Sequence, residues 1–435
     1  MANTTEVMSR WVGMPLDALE RQLAGPESAS LEILFGAQEL NELREIATSA
    51  PIMGKGSQRP NIVLLPGIMG SVLQSVEGLI ELLWFNPLIF TRGHINLLEL
   101  AEDGDTDAAP RVKIVPTGLE MIAYAKVILA LRKQANLFLL PYDWRLDIRL
   151  SAGHLRAALS RWVAANGHRS FTLVGHSMGG IISRAYLAMF PEEAQRFVER
   201  VVLLGSPAYG LVDTVQTLAT GNPLLQLGQR LNASNQGERL VRSLTALYQL
   251  LPPPRELFPA GRDYPCAFDL YDAAAWQKPG IRQNGLNRGK ALHRLLAESL
   301  PPKMPIMQIA GYDVPTPVAL RGTPGAMGPV IESHGPDSGD GHVPLWSATL
   351  EGAEMYYVRL SHDMLQRDRR VIQAVVNLAN GDEAGLPQQL EPGLGPVAGT
   401  RLPIFNMEAE AKRLRAAIEQ GSATGDDLQK LFLVR

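Results

Sequence analysis

The chain has a single cysteine, Cys266, in 435 residues. No intrachain disulfide can form, and cysteine-based metal clusters are excluded. An excess of one charge is also missing. The 41 Lys and Arg face 44 Asp and Glu, a formal net charge of −3, and no basic stripe stands out, so nucleic acid is not expected as a partner. Long apolar runs are absent, and no uncharged stretch reaches membrane-spanning length. The opening MANTTEVMSRWVG lacks the basic start and continuous apolar run of a signal peptide. These absences together lead us to expect a cytoplasmic protein.

What is present suits a folded core. Hydrophobic residues make up 46% and charged residues 20%, so disorder is not the default, and the length suffices for one large catalytic domain with insertions. Positions 1–58 read as a helical appendix, with apolar-periodic stretches at 5–23 and 30–46 separated by Gly25-Pro26. A catalytic domain is expected over 59–381. In it, strand-length apolar runs at 61–65, 137–140, 171–174, 201–204, 304–310 and 355–360 alternate with helical patterns at 119–134, 147–165, 178–189 and 364–378. Apolar strands alternating with helices predict an α/β fold with a mainly parallel sheet covered on both faces. Two stretches interrupt the alternation, about 72–115 and 208–303, and read as cap or lid insertions. The end of the chain, 382–435, holds a Gly/Pro-rich linker at 385–403 and a charged helical pattern at about 407–420.

The segment FTLVGHSMGG, 171–180, is the most informative. A strand runs into Gly175-His176-Ser177-Met178-Gly179 and then into a helical pattern. G-x-S-x-G in that context predicts a nucleophile elbow with Ser177 at its exposed tip, as in the α/β-hydrolase fold. Glycines at 175 and 179 allow backbone segments to approach where a side chain would clash. His176 is expected to point away from the reaction and to be structural.

A tetrahedral intermediate needs backbone donors already aimed at its oxyanion. One should be the amide of Met178, after the nucleophile. The other should follow the early strand NIVLLPG, most plausibly at Ile68. The triad order of this fold places an acid and then a histidine after the serine. Among His293, His334, His342 and His362, the last has the best context, a turn at the end of a strand with a helix to follow. Spacing leaves the acid open among Asp340, Asp337 and Asp313.

Four separated segments, LLPGIMGSVL, LPYDWRLD, VGHSMGG and SGDGHVPLWS, together with SHDML at 361–365, resemble the lecithin:cholesterol acyltransferase-like family. That family includes lysosomal phospholipase A and phospholipid:diacylglycerol acyltransferases. The resemblance covers about 61–378. It implies a lipid or other ester substrate and an acyl group carried on serine, then passed to water or to an alcohol. It singles out Asp340, because the family's acid precedes a G-x-V-P run, and it supports Ile68. Family members typically have Thr where this chain has His342.

The reaction expected is proton transfer from Ser177 to His362, oriented by Asp340, with the oxyanion held by Ile68 and Met178. It calls for no metal or organic cofactor. The apolar segment GLIELLWFNPLIF, 78–90, is expected to form a cap that packs an acyl chain or meets a membrane surface, with Trp84 and Phe85 as contacts. The turn Tyr142-Asp143-Trp144-Arg145 is expected to be structural, with Asp143 at a helix N-terminus and an Asp143–Arg145 polar network bracing the site. Both ends of the chain, outside the matched core, are expected to be dispensable for chemistry.

Overall fold

The computed structural model describes residues 14–25, 31–50, 59–78, 80–84, 86, 88–167, 170–221, 229–299, 303–323, 326–391, and positions 412, 413, 415–417 and 420. The linker at 385–403 and the charged pattern at 407–420 fall largely outside the described residues, as does Phe85.

The strands are β1 (Asn61–Leu65), β2 (Ser71–Glu77), β3 (Glu81–Trp84), β4 (Lys113–Leu119), β5 (Asn136–Leu139), β6 (Phe171–His176), β7 (Val198–Leu204), β8 (Ile306–Gly311), β9 (Thr316–Thr323), β10 (Ala326–Ser333) and β11 (Glu354–Val358). Six of them form one sheet in the order β11-β8-β7-β6-β1-β5. Every neighbouring pair in it is parallel. All six sheet strands were legible as apolar runs. Val63, Leu64, Leu173 and Val174 are fully buried at its centre, as strands covered on both faces must be. The chain runs outward from β1 to β5 and then returns to β6 on the other side of β1. Strand order therefore reverses between β1 and β6, and in open parallel sheets the ligand crevice lies at that reversal.

The crossover helices begin and end on local signals. Helix Met121–Gln134 starts where the Glu120 carboxylate accepts the Ile122 and Ala123 amides, and helix Ile148–Asn166 starts where Asp147 accepts the Arg149 amide and stops at Gly167, φ 70°. Such caps satisfy donors that the helix itself cannot. Helix Arg369–Asn380 begins later than the apolar pattern at 364–378 implies, because Asp368 caps it and residues 362–364 form a separate single turn.

The first insertion contains a small sheet of its own, with short helical turns at Leu88–Arg92 and His94–Leu98. β3, β2 and β4 pair antiparallel, with Leu73 opposite Trp84 and Ser71 opposite Leu119. The second insertion is mainly helical, including Val212–Thr220, Gly237–Ser243, Thr245–Gln249 and Gln283–Glu298. β9 and β10 form a hairpin that strand reading of the sequence did not find.

Near the start of the chain, helices Leu16–Ala24 and Glu32–Thr48 pack on the catalytic core. They bury Leu19, Leu23, Leu40 and Leu43 in the same apolar cluster as the main sheet. Lys126 Nζ meets Glu42 at 2.5 Å, and Arg367 pairs with Glu39. No helix among the described residues is long and apolar enough to cross a membrane.

Candidate active site

Ser177 sits between the buried end of β6 and helix Met178–Met189, with φ 52° and ψ −120°. A non-glycine residue at positive φ costs on the order of 1 kcal/mol or more and persists only where its surroundings over-determine it. Here they do. The Ser177 amide donates to the Leu204 carbonyl at 2.9 Å, and the Gly180 amide donates back to the Ser177 carbonyl at 3.0 Å. A Cβ on Gly179 would lie 2.5 Å from the Leu65 carbonyl oxygen, and one on Gly175 would lie 2.5 Å from the Gly180 nitrogen. Both elbow glycines are thus required by close backbone approach.

The loop after β1 passes over the elbow. A Cβ on Gly67 would come within 3.1 Å of the Ser177 Cβ, so Ile68 lies one residue beyond the closest approach and Met178 one residue beyond the serine. Four buried aromatic residues hold this loop. The Tyr124 hydroxyl accepts the Gly67 amide at 2.8 Å, and the Tyr142 hydroxyl donates to the Pro66 carbonyl at 2.6 Å. Trp84 Nε1 donates to the Met69 carbonyl at 2.8 Å, and Trp144 Nε1 donates to the Ser71 carbonyl at 3.1 Å. Burial pushes the Tyr142 hydroxyl well above the ordinary phenol range, so it remains a donor. Met69 is itself held at φ 61°. These contacts hold the backbone on both sides of Ile68.

His362 and Asp340 meet at a hydrogen bond of 2.7 Å between Nδ1 and Oδ2, and both are buried. The other carboxylate oxygen, Oδ1, accepts the amides of His342 at 3.0 Å and Val343 at 2.7 Å. The His362 amide donates to the Asp340 carbonyl at 2.8 Å. With Oδ1 taken by two backbone amides, Oδ2 is left to orient the imidazole through Nδ1. The rivals lie elsewhere. Asp313 accepts the Arg359 guanidinium at 2.8 Å, and Asp337 is exposed. His293 is buried, with Nε2 on the Leu251 carbonyl at 2.8 Å. Burial holds its pKa down to about 4. His334 is largely exposed. Cys266 is buried, and burial pushes its thiol up to about 12, so it is no competing nucleophile.

His176 is structural, as its place in the elbow implies, and it also joins the two halves of the site. Its Nδ1 lies 2.8 Å from the Tyr124 hydroxyl, and its Nε2 lies 3.4 Å from the His362 carbonyl. The Tyr124 oxygen already accepts the Gly67 amide, so the network assigns the phenolic proton to His176 Nδ1 and the imidazole proton to Nε2. The His176 and His362 rings lie 4.9 Å apart.

Two expectations need correction. Trp84 is fully buried, edge-on to Trp144 at 5.3 Å, and cannot contact an acyl chain from inside the core. An apolar run beside a cap and one inside a sheet look alike in sequence. Asp143 does not start a helix; Asp147 does. Asp143 instead takes Arg145 at 2.6 Å, while Arg145 also meets Asp107 at 2.8 Å and the Leu98 carbonyl at 3.1 Å. Burial alone would lower the Arg145 pKa, but the two carboxylates outweigh it and raise it. Tyr142, Asp143, Trp144 and Arg145 therefore brace the Pro66–Ser71 turn and lock it to the first insertion. Sequence reading missed Tyr124 altogether, because a tyrosine at a crossover helix start looks like ordinary core.

Comparison with family models matches residues 119–266 to lecithin:cholesterol acyltransferase. That segment contains the braced Tyr142–Arg145 turn and the elbow, and it ends before Asp340 and His362. Comparison with curated proteins found no match. Among solved structures, a chain of the Tle4–Tli4 complex is 14% identical, with 74% of this chain and 99% of that chain covered and a TM-score of 0.48. The mature form of Bacillus licheniformis lipase BlEst2 is 15% identical, covering 76% of this chain and 95% of that one, with a TM-score of 0.38. Carboxylesterase CesB from Bacillus subtilis is 12% identical, covering 75% and 85%, with a TM-score of 0.30. The parallel sheet with its nucleophile elbow is an α/β-hydrolase fold, and the segment that contains the elbow is similar to lecithin:cholesterol acyltransferase.

Proposed function

We propose that the chain is a serine-dependent acyl hydrolase or O-acyltransferase acting on lipid or related esters. The observation that carries this reading is the buried His362–Asp340 pair, Nδ1 to Oδ2 at 2.7 Å, in a chain whose elbow holds Ser177 at φ 52°. In the reaction, His362 Nε2 takes the Ser177 proton as Oγ attacks the ester carbonyl. The amides of Ile68 and Met178 stabilise the oxyanion, and the imidazolium returns its proton to the leaving alcohol. Water or a second alcohol, deprotonated by the same imidazole, then releases the acyl group. No step calls for a metal or organic cofactor.

A small-ester reading uses the same residues, and one observation favours it: Trp84, expected to touch an acyl chain, is in the core. Contact with a membrane surface through 78–90 therefore rests on residues other than Trp84. Labelling with a fluorophosphonate probe, followed by turnover of short- and long-chain esters, tests both readings. Ser177→Ala should abolish labelling while the chain stays folded. Labelling that survives in the alanine variant would refute the mechanism, and a preference for short esters alone would favour the second reading.

A further inference from the structure

A second histidine–carboxylate pair stands beside the first. His342 Nδ1 lies 3.0 Å from Asp213 Oδ2, and the His342 ring meets the His362 ring edge to face with centroids 5.5 Å apart. His342 belongs to the loop that holds the proposed acid, since its own amide donates to Asp340 Oδ1 at 3.0 Å. Asp213 belongs to helix Val212–Thr220, the first helix of the 208–303 insertion. The pair thus bridges the insertion and the acid loop within one ring contact of His362.

The root of the insertion is fastened to this loop at other points. The Ala208 amide donates to the Ser347 carbonyl at 2.8 Å, the Tyr209 amide to Ser347 Oγ at 3.1 Å, and Ser347 Oγ to the Gly210 carbonyl at 2.7 Å. Those three contacts are neutral, and Ser347 is fully buried. The His342–Asp213 contact is different, because both partners carry ionisable groups and keep 21% and 17% of their side chains exposed. The pair is thus a partly exposed point at which the insertion meets the acid loop.

We propose that His342 is a positioning residue that, through Asp213, sets the placement of the insertion's first helix relative to His362 and so determines how well large acyl groups are bound. This rests on the reaction proposed above. A short ester needs only the serine, the imidazole and the oxyanion donors, all held by the parallel sheet. A long acyl chain must also find a wall, and the insertion supplies wall only where its root is held in register.

The test compares wild type, His342→Ala, Asp213→Ala, the double variant and His342→Gln on p-nitrophenyl butyrate and p-nitrophenyl palmitate. Each single alanine variant should raise KM for palmitate by about twofold to fivefold, the range for a partly exposed ion pair. Butyrate kinetics and the rate of fluorophosphonate labelling should not change in Asp213→Ala, which leaves the His342 ring against His362. The double variant should be no worse than either single one, since both remove the same contact, and His342→Gln, which keeps a donor to Asp213, should restore palmitate binding. Hydrogen exchange over 212–220 reads the fastening without turnover and should speed up in both alanine variants. Additive losses, equal losses on the two esters, or unchanged exchange would overturn the proposal. A wild-type chain that is not labelled at Ser177 would overturn the reaction itself, a separate outcome from a labelled chain whose palmitate KM ignores His342.

Discussion

The Tyr124 hydroxyl and His176 Nδ1 lie 2.8 Å apart, and this one contact joins the oxyanion side of the site to the histidine side. On one side the hydroxyl accepts the Gly67 amide, next to the turn that carries Ile68. On the other, His176 reaches the backbone of His362. A single buried phenol therefore takes part in setting two geometries that the proposed reaction needs at once.

Tyr124→Phe should separate that role from packing. The ring remains, but a buried amide and a buried imidazole each lose a partner, at about 1–3 kcal/mol apiece. We expect a lower melting temperature and, at a temperature where the variant is fully folded, a fall in kcat on the order of tenfold or more with little change in KM, because misplaced donors act on the transition state. Unaltered kcat in the folded variant would restrict Tyr124 to stability.

His293 gives a pH prediction. Its ordinary pKa is near 6.5, and burial lowers it to about 4 in the folded chain. The unfolded chain therefore binds the proton first as pH falls. Stability attributable to the neutral folded imidazole is full above about pH 6.5 and is lost between 6.5 and 4, by up to about 3 kcal/mol at 1.36 kcal/mol per pKa unit. Melting curves at pH 7.5 and pH 5 should show a smaller drop for His293→Gln than for wild type. Equal drops would show that His293 is not titrating between the two states.

Most of the fold was legible because its signals are local. Runs such as NIVLL and the capped helices declare themselves through period, length and capping residues. Ser177 was legible because its strain needs particular neighbours at fixed offsets, and His362 because chain order and the strand end before it narrow the choice. Asp340 was not decided by spacing. Its distinction from Asp313 and Asp337 is a matter of partners: two backbone amides and an imidazole against an arginine or solvent. The aromatic braces were invisible for a similar reason. Trp84, Tyr124, Tyr142 and Trp144 come from three separate segments and converge only on the Pro66–Ser71 turn, and no local pattern records a meeting of that kind.

The helices at 16–24 and 32–48 pack on the core, so this end of the chain should matter for stability even where it is dispensable for chemistry. Glu42 meets Lys126 at 2.5 Å, with only 10% of the lysine side chain exposed, and the lysine is the first cause of the lowered Glu42 pKa. Glu42→Ala would leave that ammonium poorly solvated and unpaired. Breaking such a pair from one side costs more than removing both partners, so we expect Glu42→Ala/Lys126→Met to be more stable than Glu42→Ala alone. A chain starting at Gln58 should melt earlier than either, because it uncovers the surface beneath Leu19, Leu23, Leu40 and Leu43. A truncated chain with wild-type melting would show that this packing adds no stability.

Trp84 decides how the first insertion serves the site. Its side chain is fully buried, packs edge-on against Trp144, and donates to the carbonyl of Met69, a residue held at positive φ next to the proposed oxyanion donor. Replacing it with alanine removes a large core aromatic, for which the usual cost is about 3–5 kcal/mol. It also frees the Met69 carbonyl, so the strained turn loses one of the contacts that hold it. We therefore expect Trp84→Ala to lower the melting temperature and to reduce turnover of p-nitrophenyl butyrate and palmitate together. Trp84→Phe, which fills much of the volume but cannot donate, should recover most of the stability while keeping part of the kcat loss, since the turn would still lack its brace. A loss confined to palmitate, with the melting temperature unchanged, would return Trp84 to the acyl chain and show that the insertion opens around it in solution.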